Sequence, residues 1–254
     1  METFEPKMGG YTASRHAEDL QYAEEFVLEL RDPIEKILEE LSPLLESGEI
    51  QLIIGDDASG RIPTAIFRKI FDKAYKERGF ITPETRFLAG GRSLQGEDKK
   101  EKEKKIAEYM EQAKGDVEKK FGRTLTKVLV VTDVINTGES LDPLMSALNK
   151  AGIEAKVASI GVYKVQRKVK KIEERWKAPI FSALEGHPPH VYGQDELSGV
   201  QKSSRDLFAR PFKASEYRNL WEKMDIQEEI NKGREVAEVV AESVYEDWKK
   251  KHQK

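Results

Sequence analysis

The sequence predicts an α/β protein in which a parallel sheet carries helices on both faces. Residues 128–131 (Val-Leu-Val-Val) form a continuous aliphatic run, which is typical of a strand buried on both faces of a parallel sheet. Residues 51–75 and 127–148 each give a strand, a short polar loop and an amphipathic helix, and residues 155–163 give a further strand. Strands that alternate with helices specify right-handed crossovers and therefore a parallel sheet.

Composition and length limit the classes of protein that the chain can belong to. Its 254 residues are enough for one or two domains with a substantial core. With 43 Lys and Arg against 46 Asp and Glu the net charge is −3, which argues against nucleic acid as a partner. The chain has no cysteine, so disulfides and thiolate metal sites are excluded. Because it also lacks a long apolar run and a signal-peptide core, we expect a cytoplasmic protein without membrane contact.

Residues 1–50 are predicted to form an N-terminal helical extension. Apolar residues recur at helical spacing within residues 20–30, and again within residues 34–45 after the helix start signal Asp32-Pro33. The two stripes predict a helical hairpin. We expect the hairpin to cover the sheet or to form the core of a dimer contact, and we expect the protein to be a homodimer.

A polar loop follows the first predicted strand, residues 51–55, and precedes a helix predicted from about residue 64 to residue 75. The loop contains Asp56, Asp57, Ser59, Gly60 and Arg61. The two carboxylates either cap the turn through their side chains or take part in metal binding, and the residues alone leave both interpretations open. Because no G-K-[ST] sequence follows, the loop is not a Walker loop.

The segment after the second predicted strand, residues 85–90, is dense in charge. Residues 97–105 alternate Lys with Glu and Asp and follow a short glycine-containing stretch. Such a run is most simply the exposed start of a helix with i,i+4 ion pairs, whereas the nearby glycines favour a mobile loop. Gly115 and Gly122 are predicted to break the helical pattern before the strand at Lys127.

A second polar loop follows the central strand, whose aliphatic run ends at Thr132 and Asp133. The loop consists of Asn136, Thr137, Gly138, Glu139 and Ser140, and a helical pattern starts directly after it. In an open α/β sheet such a loop lies at the carboxyl edge of its strand, where ligands bind. Its N–H groups and the following helix N-terminus favour an anion, and phosphate is the natural candidate.

Residues 132–140 (Thr-Asp-Val-Ile-Asn-Thr-Gly-Glu-Ser) resemble the signature loop of the type I phosphoribosyltransferases, which has an acidic residue, two aliphatic residues and a T-G-x-[ST] phosphate cradle. The resemblance implies a phosphoribosyltransferase-like core over residues 51–176. It also implies that Asp133 holds the ribose hydroxyls of phosphoribosyl pyrophosphate. Residues 136–140, which we call the phosphate loop, would bind the 5′-phosphate of this donor.

The loop after the first strand is also similar to a loop of this family, in its residues 58–63 (Ala-Ser-Gly-Arg-Ile-Pro). In the family this loop receives the pyrophosphate of the donor. The resemblance implies that Ser59 and Gly60 contact the pyrophosphate and that Arg61 supplies positive charge to the leaving group. It further implies a mobile loop after the second strand that brings a basic residue to the reacting centre, for which the candidates are Arg92, Lys99 and Lys100.

The expected cofactor is Mg²⁺, and its expected ligands are Asp56 and Asp57. Two carboxylates beside a pyrophosphate would repel it unless a divalent cation lay between them. Carboxylate and phosphate oxygens are the ligands that Mg²⁺ prefers.

Two residues depart from the family pattern. Thr132 stands where most members have a second acidic residue, so that one of two ribose contacts is missing. Asn136 stands where the purine-specific branch often has an aspartate that is proposed as a general base, and an amide cannot accept a proton. The purine-specific branch is therefore disfavoured, and a regulatory protein that binds the donor without catalysis becomes an alternative.

Residues 177–254 are predicted to form a loop-rich segment followed by a C-terminal helix. Glycine and proline are frequent between residues 177 and 214, and the resemblance implies that this part is the hood, which supplies the acceptor-base pocket in the family. Its aromatic residues, such as Phe208, are more often packing residues than ligand contacts. Residues 226–250 carry one apolar stripe and a basic end that suits the helix macrodipole, and we expect this helix to dock on a neighbour.

The function expected from the sequence is that of a phosphoribosyltransferase, which belongs to the pentosyl group of glycosyltransferases. It would transfer 5-phosphoribosyl from phosphoribosyl pyrophosphate to a nitrogenous, nucleobase-like acceptor in nucleotide synthesis or salvage. A non-catalytic regulator that binds the same donor is the first alternative. An unrelated α/β nucleotide binder is the second, and the absence of G-x-G-x-x-G and G-K-[ST] sequences argues against it.

Overall fold

The computed structural model describes residues 21, 23–56, 60–89, 96–163, 166–185, 200–201, 207–208, 210–211 and 220–252. Its strands are β1 (Leu52–Asp56), β2 (Glu84–Leu88), β3 (Lys127–Ile135), β4 (Glu154–Val162), β5 (Ile180–Glu185), β6 (Val200–Gln201) and β7 (Arg210–Pro211). Its helices are α1 (Arg31–Ser47), α2 (Arg61–Glu77), α3 (Gly96–Phe121), α4 (Asp142–Lys150), α5 (Gln166–Trp176) and α6 (Leu220–His252). Within these described ranges no helix is both long enough and apolar enough to cross a membrane.

The strands β1 to β5 form one parallel sheet in the order β2-β1-β3-β4-β5. Each is joined to the next by a helix, which is how parallel neighbours are connected. The chain first moves outward from β1 to β2 and then returns to place β3 on the other side of β1. The boundary between β1 and β3 is therefore the topological switch point, where ligands bind in open sheets of this kind. The α/β class predicted from the sequence is confirmed.

The two faces of the sheet are buried under different helices. Along β3, Leu129 and Val131 belong to a core with α1, α2 and α6, and Val128 and Val130 belong to a core with α3, α4 and α5. These four side chains are completely buried. The continuous aliphatic run therefore reflects burial of the strand on both faces, as inferred from the sequence.

The N-terminal helices cover one face of the sheet, which is the simpler of their two predicted roles. Residues 23–28 are helical, a turn at residues 29–30 follows, and α1 begins directly afterwards. The apolar stripe of α1 is buried and packs against β4 and β5. At the C-terminal end of α1 the Leu44 carbonyl accepts a hydrogen bond of 3.0 Å from the Tyr75 hydroxyl of α2.

The charged segment after β2 is helical from residue 96 onward, so the exposed-helix interpretation is confirmed for the residues that the structure describes. Lys100 and Lys105 pair with Glu97 and Glu101 at 2.8 Å in each case. Gly115 does not break the helix, contrary to our prediction, because α3 continues to Phe121. Its buried residues Ile106, Met110, Ala113 and Val117 recur at helical spacing on both sides of this glycine. Their burial outweighs the penalty of about 0.5–1 kcal/mol for a glycine within a helix.

The end of β3 agrees with the predicted start of the polar loop at Asn136, whereas one other strand prediction was wrong. The strand β3 continues past Thr132 and Asp133, where its aliphatic run ends, to Ile135, because β4 continues beside it and Ile135 pairs with Val162. Residues 180–185 were predicted as part of a loop-rich segment, yet they form β5. This strand is at the edge of the sheet and none of its residues is fully buried, so it lacks the aliphatic run that marks β3.

The C-terminal helix α6 docks on α1 and α2, and its start at residue 220 precedes the predicted one. Val236, Val240, Val244 and Trp248 form its buried stripe. The Trp248 indole N–H donates to the Ser42 hydroxyl at 2.6 Å, and charged residues pair across the same contact, as Lys249 does with Glu77 at 2.7 Å. The apolar stripe of α6 therefore docks on helices of the same chain.

We expect Trp248→Ala to lower the free energy of unfolding by about 3–5 kcal/mol, because it leaves a cavity between α6 and α1 and removes the partner of Ser42. Urea denaturation followed by circular dichroism measures the change. Val239→Ala is the matched control on the same helix, because Val239 is 61% exposed. Its effect should stay within about 0.5 kcal/mol. Equal effects of the two substitutions would contradict the docking of α6 described above.

Candidate functional site

The candidate site lies at the carboxyl edge of β1 and β3, where Gly60 joins β1 to the start of α2. The Gly60 N–H donates to the Asp56 carbonyl at 2.7 Å. A Cβ atom at Gly60 would lie 2.6 Å from the Asp56 carbonyl oxygen and 2.7 Å from the Val131 carbonyl oxygen. Glycine is required here because the start of α2 contacts the backbones of both strands. Gly60 is thereby held against the switch point.

Buried polar side chains mark this edge of the sheet. Asp56, Thr132 and Asp133 are 2%, 1% and 4% exposed, and Ser159 on β4 is completely buried. The Thr132 hydroxyl donates to the Asp56 carboxylate at 3.3 Å. Thr132 therefore faces the neighbouring strand β1, on the sheet face that carries α3, α4 and α5. Thr132 stands where the family pattern has a second acidic residue, and its hydroxyl is hydrogen-bonded inside the sheet.

Asp133 lies on β3 itself, and its carboxylate is oriented by local hydrogen bonds. Its Oδ1 atom accepts from the Val134 N–H at 2.6 Å, and its backbone carbonyl accepts from the Ser159 hydroxyl at 3.3 Å. The Thr132 hydroxyl also lies 3.5 Å from the Asp133 Oδ1 atom, to which it donates. Burying a carboxylate without hydrogen bonds is costly, and the hydrogen bond from the Val134 N–H offsets part of this cost.

The phosphate loop follows β3 and places backbone N–H groups at the edge. Gly138 has a φ of +76°, a conformation that favours glycine. Its carbonyl accepts from the N–H groups of Leu141 and Asp142 at 3.0 and 3.2 Å. Within the described part of the chain, the N–H groups of Thr137, Gly138 and Ser140 donate to no protein acceptor. Successive N–H groups in such a turn form a concave anion-binding surface.

Arg61 is the first residue of α2, and its guanidinium lies 5.4 Å from the centre of the Phe87 ring on β2. The structure therefore brings this cation to the carboxyl edge, on the β2 side of the switch point. Asp133 and the phosphate loop lie on the other side of β1. A ligand that contacts both would have to extend across β1.

Three predicted site residues, Asp57, Ser59 and Arg92, lie outside the described residues. Asp56 is present at the edge, but within the described ranges no group of three or more Asp, Glu or His side chains is arranged to hold a metal ion. Of the predicted hood, residues 177–185, 200–201, 207–208 and 210–211 are described, and they include Phe208. Its ring packs edge-to-face against Tyr109 at 5.5 Å, as expected for a packing residue.

Sequence reasoning missed three residues that hold the phosphate loop from outside the motif. Arg175 donates to the Thr137 carbonyl at 2.8 Å and pairs with Asp142 at 3.0 Å. The Trp176 indole N–H also donates to Asp142, at 2.8 Å. Asp142 is visible in the sequence as an acidic residue in the first turn of α4, whereas nothing in the sequence connects Arg175 and Trp176 with the loop.

Comparison with known proteins adds similarity at the level of the fold. No protein-family model matches the sequence, and no curated protein matches it. Among solved structures, one similar chain is an adenine phosphoribosyltransferase, with 13% identity, 59% of this chain and 77% of that chain covered, and a TM-score of 0.35.

A second similar structure is adenine phosphoribosyltransferase from Saccharomyces cerevisiae, complexed with D-2,5-dideoxy-2,5-imino-altritol 1,6-bisphosphate and adenine. It has 13% identity, coverage of 59% of this chain and 76% of that chain, and a TM-score of 0.33. Both similarities concern the fold alone, and the assignment of a function depends on the site described above.

We expect Gly60→Ala to destabilise the protein by about 1–3 kcal/mol, because the new methyl group would overlap backbone atoms of β1 and β3 that cannot move independently. Thermal unfolding at constant pH measures the change. The matched control is Gly115→Ala in α3, where a Cβ atom would meet nothing within 4 Å. This control should stabilise the protein by about 0.5–1 kcal/mol. Stabilisation by both substitutions would exclude the close backbone contact at Gly60.

Proposed function

We propose that this protein binds phosphoribosyl pyrophosphate at the carboxyl edge of β1 and β3 and transfers its 5-phosphoribosyl group to a nitrogenous base. The observation that carries the proposal is the position of the phosphate loop. A turn with three N–H groups that lack acceptors in the described part of the chain directly follows the central strand, on which Asp133 is buried.

The arrangement suits a sugar with phosphate groups at two ends. The N-termini of α2 and α4 follow neighbouring strands, and each favours an anion through its N–H groups and dipole. Neighbouring strands are about 4.8 Å apart, so a ribose ring is long enough to connect the two regions. The phosphate loop would hold the 5′-phosphate, Asp133 would accept hydrogen bonds from the ribose hydroxyls, and Arg61 would approach the pyrophosphate.

The proposed cofactor, Mg²⁺, fits this edge only in combination with the donor. The described residues contain no cluster of three ligands, but Mg²⁺ commonly uses one or two carboxylates together with substrate phosphates. Asp56, at the end of β1, is the described carboxylate of the proposed pair. When bound, Mg²⁺ would neutralise charge on the pyrophosphate leaving group.

The proposed reaction exchanges one bond at C1 of the ribose. The bond from C1 to the pyrophosphate oxygen breaks, and its electron pair leaves with pyrophosphate. A lone pair of the acceptor nitrogen forms the new bond to C1, and a proton of that nitrogen passes to solvent because the amide of Asn136 cannot accept it. In this arrangement positive charge on the sugar would develop close to the carboxylate of Asp133, and negative charge on the leaving group would develop close to Arg61.

A non-catalytic regulator that binds the same donor is the second candidate. The position of Thr132 favours it, because this hydroxyl is hydrogen-bonded to Asp56 within the sheet and replaces an acidic ribose contact of the family pattern. Asn136 favours it as well, since the loop lacks a general base at that position. Binding and turnover therefore have to be measured separately.

The binding prediction is that Asp133→Asn and Ser140→Ala each weaken the affinity for phosphoribosyl pyrophosphate in the presence of Mg²⁺. Each removes a charge-assisted hydrogen bond, so the expected loss is about 1.5–3 kcal/mol, or roughly tenfold and more. Isothermal titration calorimetry measures it. Ser47→Ala is the control, because Ser47 is exposed at the end of α1 and should leave affinity unchanged. Unchanged affinity in both site variants would show that the donor does not bind at this edge.

The catalytic prediction is that the protein releases pyrophosphate when it is incubated with the donor, Mg²⁺ and a panel of nitrogenous bases. A coupled pyrophosphate assay detects turnover, and the base that accelerates it identifies the acceptor. Asp133→Asn should lower this rate together with binding. Tight donor binding without pyrophosphate release by any base of the panel would instead support the regulator.

A further inference from the structure

Asp142, Arg175 and Trp176 form a connected group beside the phosphate loop, which we call the Asp142 cluster. The Asp142 Oδ1 atom accepts from Trp176 Nε1 at 2.8 Å and lies 3.0 Å from Arg175 Nη2. Arg175 Nη2 also donates to the Thr137 carbonyl at 2.8 Å. The cluster thereby connects the end of α5 with the first residue of α4 and with the backbone of the phosphate loop.

The cluster is in steric contact with the loop as well. A Cβ atom at Gly138 would lie 2.7 Å from both Arg175 Nη2 and Trp176 Cζ2. The backbone of Gly138 therefore rests directly on these two side chains. Displacement of either side chain removes the support on one side of the turn.

The hydrogen bond from Arg175 also determines which way a loop N–H points. In a trans peptide the carbonyl and the following N–H point in opposite directions. Since the Thr137 carbonyl points to Arg175, the Gly138 N–H of the same peptide unit points away from Arg175. This is one of the N–H groups that the proposed function assigns to the 5′-phosphate.

The charges of the cluster favour an anion at the loop. A carboxylate at the first position of α4 would repel a phosphate bound at the same helix N-terminus. Arg175 offsets the charge of Asp142, and Lys99 of α3 lies 3.9 Å from its other oxygen. The side chain of Asp142 is 14% exposed, but those of Arg175 and Lys99 are 45% and 40% exposed, so solvent screens part of this interaction.

We infer that Arg175 is a positioning residue for the 5′-phosphate, supported by Trp176 through Asp142. The inference rests on the proposed function, since it concerns the loop that would hold this phosphate. Arg175 acts on the backbone of the loop, and it is outside the motif by which the loop is recognised in the sequence.

The test uses two probes, ribose 5-phosphate and pyrophosphate, titrated into the full-length protein by calorimetry with Mg²⁺ present. Arg175→Met should weaken ribose 5-phosphate about tenfold, because a charge-assisted hydrogen bond to the loop is lost. Its affinity for pyrophosphate should change less than about twofold, since that anion is assigned to the first loop. Lys170→Met is the control, because it removes the same charge from an exposed position of α5.

Trp176→Phe provides a second variant, which keeps one aromatic ring but removes the indole N–H and the outer ring atom Cζ2 that supports Gly138. It should weaken ribose 5-phosphate by at least about threefold, because a hydrogen bond to the Asp142 carboxylate and part of the support of Gly138 are lost. In ¹H–¹⁵N spectra the Gly138 amide signal should shift when ribose 5-phosphate is added to the wild type, and this shift should be reduced in both variants. A purely structural effect would weaken both probes to the same extent.

The outcomes separate the inference from the proposed function. If the wild type bound neither probe, the proposed function and the inference would both be wrong. If the wild type bound ribose 5-phosphate and both variants bound it equally well, the proposed function would stand and the role of Arg175 would be rejected. If Arg175→Met failed to fold, the affinity and the Gly138 signal of Trp176→Phe would decide. Loss of affinity in Lys170→Met equal to that in Arg175→Met would reduce the effect to general electrostatics and overturn the inference.

Discussion

Burial of β3 on both faces is the constraint on which the rest of the structure depends. A strand covered on one face by α1, α2 and α6 and on the other by α3, α4 and α5 can place polar groups only where the covering helices end. Thr132 and Asp133 occupy that position. The Thr132 hydroxyl donates to Asp56 on β1, and the Asp133 carboxylate accepts from the Val134 N–H. The core therefore determines the location and the orientation of the polar site.

Much of the fold follows from patterns that are local in the sequence. The aliphatic runs of β1 and β3, the helical spacing in α1 and α2, and the return of a strand after each helix were sufficient to predict the class. Such local patterns do not show which position a strand takes in the sheet. The edge strand β5 buries none of its residues fully, so its sequence did not differ enough from that of a loop. The end of β3 at Ile135, by contrast, agrees with the polar loop predicted from Asn136.

The same distinction between local and distant contacts applies to the site. The phosphate loop was predicted because its residues are contiguous and their chemistry is evident from their types. The supports of that loop were not predictable. Arg175 and Trp176 are 38 and 34 residues away in sequence from the groups that they contact. The orientation of Thr132 toward Asp56 also depends on the pairing of β1 with β3, which no single segment encodes.

Gly60 and Gly138 show why the proposed binding at this edge would depend on residues that do not touch a ligand. Both loops would contact phosphate mainly through backbone N–H groups, and a backbone group has no rotamer by which to adjust its direction. Gly60 is held by the carbonyls of β1 and β3, and Gly138 is held by Arg175 and Trp176. The direction of each N–H group is thus fixed by tertiary contacts. Two chains with identical loop sequences would differ in their affinity for phosphate if those contacts differed.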